Sequence, residues 1–368
     1  MPQVQTDVIE DFAYNSENER YNKAYHDWRS RTKMPFIYRF RETANERTYT
    51  SGDAVEPPEA PLAERKALQR TAEITGMALM VCLFCEMVGR PLTVWLLGRL
   101  GFDIRLDFLT LSMQGSQWMT AAVRMLMDTA KYGIPSLILI RMLRLPRRVC
   151  MPAAPRGLPE TTAGVGMAMM LAAVFTVTDS GNGVELAQRI FEYKDSAAIF
   201  TYALFDVLIS SMLAELFLRG AVLQGLRQFG DPFAVGVTAF IGFLLPNTLP
   251  ARISECLIGL CAGYLFLRSG SYFKCAQLRA IYVMLTYARL VLVYGSRALP
   301  RWSFVILLIS IGALMVSFYV IFRRDHLRLA NIRTHLTARK KFSSFFETVS
   351  TFPWLALSAL LAVVQLFY

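Results

Sequence analysis

Histidine is almost missing from this chain. Its three copies, His26, His326 and His335, all fall in polar segments outside every long apolar run. That excludes a metal centre or a general base built on imidazole within those runs. Charge is scarce as well: 18% Asp, Glu, Lys and Arg stand against 54% hydrophobic residues, an apolar excess that a soluble chain of 368 residues rarely needs. No internal repeat and no low-complexity tract is present, which leaves no repeat architecture to consider. The first 30 residues are polar and mixed in charge, without an apolar h-region. No cleaved leader is therefore expected, and the first span must serve as its own insertion signal. Six cysteines remain, Cys82, Cys85, Cys150, Cys256, Cys261 and Cys275, mostly in or beside apolar runs, where Cys acts as a small hydrophobe rather than as a disulfide framework. Cys82 and Cys85 are spaced C-x-x-C, but no second pair and no His lies nearby. No metal site and no cofactor is expected.

What the chain does have is a series of long apolar runs and a mean hydropathy of +0.36. Together they predict an all-α, polytopic membrane helix bundle of about eight core spans. These run over about 73–97, 118–143, 161–178, 197–226, 232–245, 252–267, 272–294 and 302–322. A further run, 352–367, is short and reads as a ninth span or an interfacial helix. Residues 1–70 read as a polar cytosolic extension with a short helix around 15–31 and a Pro-rich linker. Residues 71–322 form the bundle, and 323–368 combine a basic segment with the short apolar helix.

The net charge is +11. Arg141, Arg144, Arg147, Arg148 and Arg156 cluster in one short loop, and a second basic run extends from Arg323 to Lys341. The positive-inside rule places both, and the N-terminus, on the cytoplasmic side. Anionic membrane lipid is partner enough for this charge, and no nucleic acid is needed to explain it.

Charges inside the spans are the informative residues, because each costs at least about 2.5 kcal/mol at bilayer depth unless it is compensated. Glu86 and Arg90 stand four apart and can neutralise each other, with Pro91 kinking or ending their helix. Arg124, Asp128 and Lys131 read as paired or interfacial. The helix at 272–294 carries Lys274, Gln277, Arg279, Thr286 and Arg289 and should face protein or water rather than lipid. The strongest lead is Ala214–Gly225, A-E-L-F-L-R-G-A-V-L-Q-G. It stacks Glu215 and Arg219 on one face of a long apolar helix.

From Ala214 to Val283 the order of features resembles the CAAX prenyl protease and bacteriocin-processing (CPBP, Abi) family of intramembrane peptidases. In that family EExxxR followed by Gly lies on a long helix. Here A-E-L-F-L-R-G carries Ala214 at the first Glu position and retains Glu215 and Arg219. F-L-L-P-N matches FxxxH, with Asn247 where His is expected. G-Y-L-F-L-R-S-G-S is similar to the family's helix end and turn. Arg279 then takes the place of a further His. The resemblance implies a helical core over 197–295, a water-activating Glu, peptide-bond hydrolysis near the cytoplasmic face, and, from the family's breadth, a bacterial plasma membrane.

The substitutions change that chemistry. Ala214 has no acid–base capacity, Asn247 cannot act as a base, and Arg279 stays protonated. If the helices pack as in the family, Glu215, Arg219, Asn247 and Arg279 converge in one buried cluster. One acid against two bases would leave an excess of positive charge, suited to an anion or a substrate carboxylate. Three functions follow: a non-catalytic scaffold or immunity-type protein that binds a peptide or a membrane-protein partner, an active peptidase with an altered site, and a transporter.

Overall fold

The computed structural model describes residues 12, 14–32, 60–106, 113–153, 157–178, 196–245, 249–295, 298–324, 327–330, 334 and 336–367. Among them the only strands are two short ones, Ile104–Leu106 and Met113–Gly115, paired antiparallel as a small hairpin. Everything else of regular structure is helical, as the hydropathy pattern requires.

The chain begins with α1, Glu19–Thr32. The next helix, α2, runs from Ala60 to Phe84 and continues through a π-helical turn, Cys85–Gly89, into Arg90–Arg99. After the hairpin come α3, Gln117–Met142, a single helical turn at Arg147–Cys150, and α4, Leu158–Thr178. The long α5 starts at Ser196 and reaches Phe229 through two π-helical stretches, Asp206–Ser210 and Leu216–Val222. Then follow α6, Asp231–Leu244, α7, Leu249–Ser269, α8, Tyr272–Arg289 with a π-helical end at Leu290–Gly295, and α9, Arg301–Phe322. The described chain closes with α10, Ala338–Phe346, and α11, Thr351–Phe367.

Six helical segments are long and apolar enough to cross a membrane, or seven if the bent pair α10 and α11 counts as one span. The expected spans at 118–143 and 232–245 are not among them. The first is a helix of ample length, but Arg124, Asp128, Lys131 and Arg141 dilute its apolar face. The second, α6, has 14 residues and extends only about 21 Å, short of the roughly 30 Å hydrocarbon layer. Large apolar side chains point outward from the qualifying segments: Phe200 is 70% exposed, Leu314 72% and Ile321 74%. An exposed apolar surface of this kind suits lipid.

The first span also differs from its expected start at residue 73. The helix extends back to Ala60, so the boundary at residue 70 falls within a continuous helix. Its polar first turns are held by protein: Leu68 and Glu64 are both fully buried, and the Glu64 carboxylate accepts from the Leu336 backbone N–H at 3.2 Å.

The turns after α3, α5, α7 and α9 share one end of the bundle, since Asn15 reaches Asp231 and Ala330 at 2.7 and 3.1 Å while Asn18 reaches Ala153 and Gly270. The N-terminal segment is clasped over that end. Trp28 Nε1 donates to the Leu143 carbonyl at 3.1 Å, and Asn18 Nδ2 donates to the carbonyls of Gly270 and Ala153 at 2.8 and 3.2 Å. Gly270 adopts φ +54°, and a Cβ there would collide with Ser16 Oγ, so glycine serves both the turn and the close approach of the N-terminal chain. Phe12, Tyr21, Tyr25 and Trp28 join the same apolar core as α2, α5 and α6. Residues 1–70 are thus not a free extension where they are described.

Burial pushes the Tyr21 phenol up from 10.0 to about 12 and raises Tyr25 as well. A raised acid stays neutral in the folded state, so this contribution is whole below pH 10 and is lost as pH rises toward 12. Protease cleavage within Glu19–Thr32 is therefore expected to appear over that interval while the span helices stay protected. Cleavage at a constant rate across it would contradict the assignment.

Candidate functional site

The centre of the bundle holds the charges that the sequence marks out. Glu215 and Arg219 lie on α5 where it passes from α-helix into the π-helical stretch Leu216–Val222, and both are fully buried. Wide turns of this kind recur at functional positions, since they re-aim side chains and loosen the backbone ladder. Gln224 Nε2 takes up part of that ladder by donating to the Arg219 carbonyl at 2.8 Å.

One carboxylate oxygen does most of the pairing. Glu215 Oε1 accepts from Arg219 Nη1 at 3.1 Å and from Arg279 Nε at 2.6 Å. Arg279, on α8, then turns its fork onto Glu255 of α7, with Nη1 to Oε1 and Nη2 to Oε2 both at 2.7 Å. Three helices are cross-linked in this way, with charge-assisted, partly bidentate bonds that rank among the stronger hydrogen bonds in proteins. Close packing is needed for the reach: a Cβ on Gly259 of α7 would lie 2.6 Å from Ala239 Cα on α6 and 3.4 Å from Arg219 Nη2. Glu215 Oε2 and Arg219 Nε have no partner among the described residues.

The structure thus brings Glu215, Arg219 and Arg279 together. Ala214 is beside them, buried and apolar. Asn247 lies outside the described residues. Glu255 of α7 is the member that the sequence reading did not single out. Its presence overturns the expected excess of positive charge: two acids now balance two bases, and no anion is required. The signal available was a charge count, because the deficit of one acid pointed to whichever unpaired carboxylate a neighbouring span carried.

The other buried charges are also partnered. Glu86 receives Arg90 at 2.8 Å, as expected, and Lys131 of α3 at 3.1 Å. Asp128 accepts from the Tyr202 hydroxyl and Asp206 from the Tyr287 hydroxyl, each at 3.0 Å. On α8, Lys274 pairs with Glu160 at 3.2 Å, and Arg289 is buried with its guanidinium 4.7 Å from the Phe175 ring centroid. Its charged residues face protein, as the composition of this helix requires.

His26 is half-buried beside Asp27, away from this centre, while His326 and His335 lie outside the described residues. Among the described residues no three His, Cys, Asp or Glu side chains group closely enough to hold a metal ion. Cys82 donates to the Lys131 carbonyl at 3.1 Å, a structural use of the first cysteine of the C-x-x-C pair.

The chain matches no protein-family model, no curated protein and no solved structure.

Proposed function

We propose that this chain is a non-catalytic multi-pass membrane protein of about eight spans, in which a centre resembling that of the CPBP peptidases has become a charge-neutral lock. It serves as a scaffold or immunity-type protein that engages a peptide or a membrane-protein partner, with its N-terminus in the cytoplasm of a bacterial plasma membrane. The observation that carries this reading is the double engagement of Glu215 Oε1 by Arg219 and Arg279. That oxygen is committed as an acceptor to two guanidiniums on two different helices, so it ties α5 to α8 and is not aimed at a water. Ala214 offers no second carboxylate to replace it.

One observation favours the alternative of an altered peptidase: the second oxygen of Glu215 is buried without a partner and could orient a water. A cleavage assay on a quenched prenylated CAAX peptide separates the two readings. No turnover is expected from the purified protein, and a stable membrane-protein partner is expected to co-purify from native membranes. Turnover that Glu215→Gln abolishes without lowering the thermal midpoint would overturn the scaffold reading.

A further inference from the structure

The end of the bundle that the N-terminal segment clasps also carries a cleft of about 1990 Å³, between α1, the first turns of α2 and the turn after α3. Eight cationic side chains line it against a single acid, Asp27. Arg20 and Lys23 come from α1, Lys66 and Arg70 from α2, and Arg144 and Arg147 from the turn. All six are exposed, and among the described residues none of them has an ion pair or a side-chain hydrogen bond, in contrast to the charges of the core. Asp27 lies 3.7 Å from His26 Nδ1, with its side chain 53% exposed.

Arg144 adds an independent observation. It is the one non-glycine residue with positive φ among the described residues, at +51°. It occupies the position just past the end of α3 where a helix usually places glycine. The surrounding bonds have the matching pattern, with Leu145 N–H to the Ile140 carbonyl at 2.9 Å and Arg144 N–H to the Arg141 carbonyl at 3.3 Å. A side chain with a Cβ bears conformational strain there that glycine would avoid. Strain retained at a functional surface is a recurring pattern. Here it holds a guanidinium at the mouth of the cleft.

The lining is not only basic. Leu62, Ile74, Met142 and Met151 contribute apolar surface, with Leu62 58% and Met142 47% exposed. Ile74 and Met142 lie on the long helices α2 and α3, so the apolar floor leads from the basic rim onto the flank of the bundle. A soluble anion would use the rim alone. A phospholipid uses both parts, with its phosphate among the cations and its acyl chains along the helices.

We propose that this cleft is a binding site for the headgroup of an anionic phospholipid, with Arg144 and Arg147 contacting the phosphate. The test is native mass spectrometry of the full chain in mild detergent. It would be titrated with phosphatidylglycerol, with phosphatidylcholine of the same acyl chains, and with soluble glycerol phosphate. Selective retention of one phosphatidylglycerol is expected. Arg144→Gly combined with Arg147→Gln should weaken it about tenfold or more, given the attraction each cation near an anionic headgroup supplies. The thermal midpoint should hold or rise, because glycine relieves the strained position. Removing the same charge elsewhere at this end, with Arg324→Gln and Arg339→Gln, should leave retention unchanged. Equal retention of both lipids, an equal loss in the control pair, or equally tight binding of glycerol phosphate would each overturn the proposal. If the double variant fails to fold, Lys66→Gln with Arg70→Gln carries the same expectation from the α2 wall.

Discussion

Replacing Arg279 by alanine is expected to destabilise the bundle by about 3–5 kcal/mol, the usual cost of removing one partner from a buried ion network. The reason is the number of bonds that pass through this one guanidinium. Its three engaged nitrogens join Glu215 of α5 to Glu255 of α7 from a position on α8. Without it, Glu255 loses both of its bonds and Glu215 keeps only Arg219, so two acids confront one base in a region of low dielectric. Thermal unfolding in detergent, followed by loss of the monodisperse folded fraction, gives the measurement. Arg279→Lys should restore little. One ammonium can meet a single carboxylate as a point charge, but it cannot reproduce the fork on Glu255 together with the third bond to Glu215. Glu255→Gln should cost less than Arg279→Ala, since Glu255 keeps 20% of its side chain exposed and water can compensate part of the loss. A thermal midpoint for Arg279→Ala equal to that of the unmodified chain would show that the network does not hold the three helices.

Much of this architecture can be read in the sequence because burial in lipid imposes simple rules. The apolar runs give the helices within a few residues where Pro or Gly stops them, as at Gly230 and Gly270. The spacing of Glu215 and Arg219, and of Glu86 and Arg90, gives the pairs within a helix, because four residues is one turn wherever the helix sits. Pairs between helices follow no such rule. Glu255 and Arg279 lie on either side of the Gly270 turn, and their contact depends on the axial offset and rotation of α7 against α8. Packing between the two helices, as where Cys275 Sγ meets the Ala262 carbonyl at 3.2 Å, helps to decide those quantities, and local periodicity does not. The start of α2 was hidden for a related reason. Its first turns are polar, and the C-terminal part of the chain holds them: the Leu336 N–H donates to Glu64, Arg65 pairs with Glu347 at 3.2 Å, and Ser350 Oγ donates to the Glu73 carbonyl at 2.8 Å. The aromatic residues Tyr21, Tyr25 and Trp28, spaced four and three apart, were a visible sign that α1 has a buried face. Charge elsewhere in residues 1–70 masked it.

The second large effect is expected at that junction. Arg227→Ala should also cost about 3–5 kcal/mol, and it should release the N-terminal segment as well. Arg227 is fully buried near the end of α5. Its Nε donates to Asp231 Oδ1 at 2.8 Å and its Nη2 to Oδ2 at 3.2 Å, while Nη1 donates to the Tyr21 hydroxyl. Its guanidinium carbon lies 4.8 Å from the Tyr25 ring centroid and 5.6 Å from those of Phe12 and Tyr21, so three rings of the N-terminal segment surround one cation. Removing it leaves Asp231 buried with Asn15 Nδ2, at 2.7 Å, as its one remaining side-chain donor among the described residues. It also removes the cation that the rings enclose. Two readouts separate the local from the global consequence. Thermal unfolding reports the loss of the Arg227–Asp231 pair, and protease cleavage within Glu19–Thr32 reports undocking of α1. The double variant Arg227→Met and Asp231→Leu removes both charges at similar volume and should recover much of the thermal midpoint, because no buried carboxylate is left uncompensated. It should not restore protection of α1, since neither new side chain can engage the Tyr21 hydroxyl or attract the rings as a cation. Recovery of both signals together would mean that shape alone docks the N-terminal segment and that the charge contributes nothing to it.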